Sequence, residues 1–289
     1  MTTKIQSISL LGLDGQIIEI ETDSTNSLPG ITIVGLADQA VDEARERIRL
    51  AIKNAGFVVP PKRFVINLVP ANLPKKGSQY DLAIALGILS ASGQLDQVSI
   101  DPRAIFLGEL SLDGSTKPIN SPLIAAQVAR QRGIKQLFIS AESATTARLI
   151  EGIKIYPVQS LRQLLRHLLG EQQIQPLPFR QPKSQSSSCE SIMDQIYGQD
   201  QAKRALMIAA SGGHNVLLYG PPGTGKTMLA RATIDLLPAL DLAEMIDVSK
   251  IHGLITSHND LVRTRPFRTP HHTTSTVAVV GGGGVPRPG

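Results

Sequence analysis

A lysine and a hydroxyl standing side by side behind three closely spaced glycines form the part of this sequence best suited to chemistry. Gly220, Pro221, Pro222, Gly223, Thr224, Gly225, Lys226 and Thr227 fill every fixed position of the pattern G-x-x-x-x-G-K-[ST]. Glycine at 220, 223 and 225 lets the backbone turn tightly enough for its N–H groups to converge on phosphate oxygens. A helix starting at Lys226 would place the positive end of its dipole where the anion sits. Lys226 could then reach the β- and γ-phosphates, and the Thr227 hydroxyl could ligate a magnesium ion. The pattern predicts a loop that binds a nucleoside triphosphate.

Two elements must hold that loop. Asn215 to Tyr219 is a short apolar run and reads as a buried parallel strand, while Lys226 to Leu237 reads as a helix ended by Pro238. A nucleotide hydrolase of this kind also needs further strands, and an acidic residue at the end of one of them to position magnesium. The acids after Thr227 are Asp235, Asp241, Glu244, Asp247 and Asp260. Asp235 falls on the helix after the loop, Asp260 in a polar turn, and Met245-Ile246-Asp247 is too short for such a strand. Val277 to Val280 reads as a strand, but it runs into Gly281-Gly-Gly-Gly and the final residues. The expectation is a chain that stops before the catalytic half of its site.

The other elements divide into two regions. Glu171 to Ser191 is rich in Gln, Pro and Ser without an apolar period, which predicts a flexible linker. Residues 1–170 alternate strands (Ile31–Val34, Phe64–Val69, Ala104–Leu107, Gln136–Ile139) with helices. The helices are expected from near Asp38 to Ala55, and over Asp81–Ser92, Pro122–Arg132 and Leu161–Leu169. The fold class is α/β, with residues 192–289 as a second domain around the loop.

Composition bounds the remaining classes. With 42% hydrophobic and 18% charged residues among 289, the chain has material for a proper core and is not intrinsically disordered. Leu82 to Ala91 is about half the length of a membrane span, the N-terminus lacks a signal-peptide core, and Cys189 is the one cysteine. These predict a cytoplasmic protein with no membrane partner and no intrachain disulfide. From Lys250 onward, Lys250, Arg263, Arg265, Arg268 and Arg287 face one acid, Asp260, with four histidines among them. That balance suits a polyanion or a nucleotide at a subunit boundary, and equally a solvated basic loop. His271 and His272, with His252 or His258, make a poor zinc site, since adjacent side chains diverge and carboxylates are scarce.

Longer matches carry a resemblance. Asp194 to Leu206, Gly212 to Asn215, Gly220 to Ala230 and Arg265-Pro-Phe-Arg-Thr-Pro-His-His272 resemble the magnesium-chelatase-like AAA+ ATPases of the YifB/ComM family. Leu28 to Leu36, Ala44 to Arg49, Asn67 to Asn72, Lys76-Gly77, Asp81-Leu82 and Gly108 to Gly114 are similar to the same family, so the resemblance covers all but the linker. It implies a Lon-protease/S5-like domain over 1–170, followed by an AAA+ module over 192–289 that lacks its Walker B, sensor and arginine-finger regions. ATP and Mg2+ are the implied cofactors, held by Gly220 to Thr227, with Ile196, Tyr197 and Gly198 against the adenine. The complete family forms a homo-oligomeric ring, expected to be a hexamer, and processes DNA by branch migration in natural transformation. Arg265, Arg268, His271 and His272 are the residues expected to touch DNA or a neighbouring subunit. A metal-chelatase motor subunit and a non-enzymatic binding module are the alternatives.

The Lon-like resemblance raises peptidase activity, which needs a serine activated by a lysine. Gln79 falls at the nucleophile position, Ser78 lies one residue off, and no lysine follows Pro118-Ile119 where one should stand. No protease is expected.

Overall fold

The structure is a computed structural model, and it describes residues 2–35, 38–182, 191–255, 260–282 and 288. Cys189, His258 and Arg287 lie outside the described residues. The first half opens with a hairpin, β1 (Thr3–Leu11) and β2 (Asp14–Thr25), turning at Gly12, whose φ of 59° suits glycine. There follow β3 (Gly30–Val34), α1 (Gln39–Asn54), β4 (Arg63–Val69), α2 (Asp81–Ala91), β5 (Ala104–Leu107) and a short ribbon, β6 (Glu109–Leu110) with β7 (Thr116–Lys117). Then come α3 (Pro122–Gln131), β8 (Gln136–Ser140), α4 (Ala141–Ala147), β9 (Lys154–Val158) and α5 (Leu161–Leu168). One seven-stranded sheet runs β3-β4-β2-β1-β5-β8-β9. It is antiparallel where β2 meets β1 and β4, and parallel elsewhere.

Side-chain alternation sorts the sheet into two faces. In β5, Ala104 and Phe106 join one core while Ile105 and Leu107 join the other; in β8, Phe138 and the pair Leu137 and Ile139 divide likewise. The first core takes α1, α2 and α5, and the second takes α3 and α4. In α2 every residue from Asp81 to Leu89 is buried, which is why this helix shows no polar stripe in the sequence.

Composition misjudges the start of the Gln/Pro/Ser-rich stretch. Ile174 is buried, its N–H donates to His167 Nδ1 at 3.1 Å, and Leu177 N–H donates to the Ile155 carbonyl of β9 at 2.8 Å. Two apolar residues are enough to fasten the segment along the last strand. Burial beside Phe138 and Tyr156 also lowers the pKa of the His167 ring, keeping it in the neutral form that can accept this bond.

The second half is helical: α6 (Asp200–Gly212), α7 (Lys226–Leu236), α8 (Leu242–Ile255) and α9 (Thr276–Val280). Met193, Ile196, Leu206, Leu229 and Ala232 form its own small core between α6 and α7. Two expectations are corrected here. Asn215–Tyr219 forms no strand among the described residues, and Leu217 and Tyr219 are 91% and 98% exposed, so it is not a buried strand. Val277–Val280 belongs to α9, capped by Ser275, whose side chain accepts from Ala278 N–H, and is exposed. Both runs have strand-forming composition, but a strand needs a hydrogen-bonded neighbour and none stands beside them among the described residues. Across the halves, α8 lies on α3: Ser121 Oγ donates to the Gly253 carbonyl at 3.2 Å, and Ile246 and Leu254 pack on the second sheet core.

Candidate phosphate-binding loop

The loop takes the shape that its glycines were expected to allow. Gly220, Gly223 and Gly225 have φ of 155°, 81° and 83°. A Cβ at 223 or 225 would meet no atom within 4 Å, so it is backbone conformation, not space, that requires glycine there. Gly225 is the N-cap of α7 and Lys226 its first residue. The N–H groups of Gly223, Thr224 and Gly225 enter no hydrogen bond among the described residues, which leaves a row of donors at a helix N-terminus. Thr224 Oγ1 donates to the Pro221 carbonyl at 3.0 Å and closes the turn. Lys226 Nζ folds over the same loop, 2.5 Å from the Pro221 carbonyl and 3.3 Å from Thr224 Oγ1. Thr227 is exposed one residue further on. Cation, hydroxyl and free N–H groups thus lie within one turn of chain.

The segment before α6 is fastened to the helix that follows the loop. Asp235 on α7 accepts from Ser191 Oγ at 3.0 Å and from Ile192 N–H at 2.7 Å, and Ile196 is buried against Leu229 and Ala232. Ile196 is therefore a packing residue that brings its neighbours toward α7. Gly198 has φ of 68°, and Tyr197 is 93% exposed. On the other side of α7, a cavity of about 490 Å3 is bounded by Val216, Leu218, Ile234, Leu240 and Phe267.

The basic segment separates into bound and exposed members. Arg265 donates to both Glu244 carboxylate oxygens, at 3.2 and 3.0 Å, and to the Pro238 carbonyl at 2.8 Å, so it braces the entry to α8. Arg268, His271 and His272 are exposed; Arg268 lies 3.2 Å from His252 Nε2, and the two histidine rings lie tilted at 37° with centroids 4.1 Å apart. Among the described residues no group of three or more His, Cys, Asp or Glu could hold a metal. Four of the five acids after the loop are engaged in structure: Asp235 and Glu244 as above, Asp247 with Lys250 at 2.6 Å, and Asp241 in capping Glu244 N–H at 2.7 Å. Asp247 lies within α8, not at the end of a strand.

In the first half, Ser78 Oγ donates to Glu109, and the Gln79 amide donates to the Ile8 carbonyl and to the Tyr80 hydroxyl. Lys75 is buried with its ammonium on the Pro70 carbonyl, and burial lowers its pKa. No lysine is bonded to Ser78 among the described residues. Sequence reasoning assigned no role to the buried pair Arg47–Asp81, whose atoms Nε and Oδ2 are 3.0 Å apart. An acid opening an otherwise apolar helix was the available signal.

Among the described residues no helix is long and apolar enough to cross a membrane. Residues 20–143 match the family model described as subunit ChlI of Mg-chelatase, and residues 192–289 match that of magnesium chelatase, subunit ChlI. The chain is 40% identical over 293 residues to competence protein ComM of Haemophilus influenzae, covering 99% of this chain and 57% of that protein. It is 39% identical over 287 residues to the uncharacterized protein YifB of Salmonella typhimurium, covering 99% and 56%. It is 27% identical over 181 residues to Lon protease 2 of Bacillus subtilis, covering 57% of this chain and 32% of that one. The chain thus spans a little over half the length of ComM and YifB. Its α/β architecture joins a Lon-like part to a part carrying the glycine-rich loop Gly220–Thr227.

Proposed function

Because the chain belongs to the magnesium-chelatase-like YifB/ComM family, we propose that it binds ATP with Mg2+ through Gly220 to Thr227. The observation that carries this reading is the loop: three glycines in conformations other residues avoid, free N–H groups at the start of α7, and Lys226 beside them. The residues fit the ligand. The N–H row and Lys226 would hold the phosphates, and the Thr227 hydroxyl would supply one oxygen to a magnesium ion carried mainly by them. The ion would neutralise phosphate charge. Tyr197 and Gly198 are the adenine contacts in this reading, with Ile196 packed behind them. Arg268, His271 and His272 remain available for DNA or a neighbouring subunit, whereas Arg265 is committed to Glu244.

In the whole protein, this nucleotide site would drive DNA processing as part of a cytoplasmic ring, with the Lon-like part acting as a folded platform and not as a peptidase. The division into 1–170, a connector over 171–191 and 192–289 belongs to the same proposal. Calorimetric titration of the chain with ATP and Mg2+ tests it. One-to-one binding is expected, weak because Leu217 and Tyr219 beside the loop are uncovered, and it should vanish in Lys226→Ala. Binding unchanged in that variant refutes the site.

A further inference from the structure

A second concave surface rich in arginine lies away from the Gly220–Thr227 loop. A cavity of about 560 Å3 opens where the end of α4, the connector and the stretch after α8 meet. Arg148, Arg180 and Arg263 line it with one carboxylate, Asp260. Three guanidinium groups against one acid leave a positive balance inside a concave surface, where walls of low dielectric strengthen each charge. Arg148 Nε is buried without a hydrogen-bond partner among the described residues. Neither Arg148 nor Arg180 forms an ion pair among the described residues, with Asp260 or with any other acid. A buried guanidinium donor without an acceptor is costly unless something supplies one.

Arg148 follows the last turn of α4, where a cation suits the helix dipole. That role needs neither Arg180 nor Arg263 in the same cavity. The volume lies within the range of small-molecule sites, roughly 300–1,000 Å3. Among the described residues no aromatic side chain lines it to stack a nucleobase. Guanidinium groups favour oxygen anions with two or more acceptor atoms at fork spacing.

We infer that this cavity binds a small, multiply charged phosphate compound such as a pyrophosphate, held by Arg148, Arg180 and Arg263. The three arginines come from three separate segments: α4 in the sheet half, the connector, and the chain beyond α8. An anion bridging them would clasp the two halves together, independently of the nucleotide loop.

The probe is inorganic pyrophosphate, titrated calorimetrically into the whole chain carrying Lys226→Ala, which removes the lysine of the nucleotide loop. One binding event is expected, weakened about tenfold or more by Arg148→Gln and by Arg180→Gln, since each loses a charge-assisted hydrogen bond. Arg180 is exposed, so its variant reports on the site even if Arg148→Gln fails to fold. A single-stranded oligonucleotide titrated in parallel separates a compact anion from a nucleic-acid backbone. Absence of pyrophosphate binding in Lys226→Ala, affinity unchanged from that parent in both arginine variants, or an arginine effect confined to the oligonucleotide each overturns the inference.

Discussion

Asp81 should make the Lon-like half less stable as pH rises, although it is paired with an arginine. The carboxylate opens α2 and is 1% exposed. Oδ2 accepts from Arg47 Nε at 3.0 Å and from Leu110 N–H at 3.2 Å, and Oδ1 from Arg47 Nη2 at 3.3 Å. Burial outweighs those contacts and lifts the pKa from 3.8 to about 6, with the Glu109 charge pushing the same way. A carboxyl raised on folding contributes stability that is fully present below its unfolded value and is lost as pH climbs through the folded one. The rise corresponds to roughly 3 kcal/mol in total, about half of it lost between pH 5 and pH 8. Asp81→Asn keeps one acceptor oxygen for Arg47 Nε and Leu110 N–H, loses the one facing Arg47 Nη2, and cannot ionise. Urea unfolding of both proteins across that interval should show wild type losing about 1–2 kcal/mol more than the variant. A difference independent of pH, or one that favours wild type increasingly at high pH, would mean that pairing with Arg47 outweighs burial, and the reasoning would fail.

Further outcomes are expected from the same packing. Gly35→Ala should destabilise by about 1–3 kcal/mol, seen as a lower urea midpoint: its φ is 106° and a Cβ would stand 2.4 Å from the Leu68 carbonyl oxygen. An unchanged midpoint would show that β3 shifts freely. Thr22→Val should raise stability by about 1 kcal/mol, because the buried Thr22 hydroxyl has no partner among the described residues; a loss would point to a hidden acceptor. Residues 2–182 produced alone should melt in one cooperative step, since both cores are built largely within them. A broad transition would show that α8 on α3 is needed.

The parts legible in the sequence are those whose signal is local. The helices at Asp81, Pro122, Leu161 and Lys226 fall within a residue or two of their expected ends, because periodicity, Pro122 at the helix start and Pro238 beyond the end act within a few residues. The apolar strands β3, β4, β5 and β8 were legible for the same reason. The opening hairpin was not. β1 and β2 carry Ser, Thr, Gln and Glu on alternate positions, and Ser7, Ser9 and Thr22 are buried in them as polar residues. Ser7 Oγ donates to the Phe106 carbonyl, a partner almost a hundred residues away that no window of sequence reveals. The docking of Ile174 and Leu177 on β9 was hidden likewise, because two apolar residues in a polar stretch do not change its composition.

The phosphate-binding loop shows the same division within a dozen residues. The conformations of Gly223 and Gly225 and the start of α7 depend on residue types at those positions, and the structure forms them. The run Asn215–Tyr219 depends on neighbours, and with no strand beside it among the described residues it stays irregular and largely exposed. The loop's shape therefore does not depend on a finished sheet, but its rigidity does. A row of N–H donors binds an anion tightly only when the backbone behind it is held still, since ordering it on binding offsets part of the gain. On that basis the site should recognise phosphate through Gly223 to Lys226 while giving up affinity through Val216 to Tyr219. Any strand that pairs with this run should tighten nucleotide binding without touching the nucleotide.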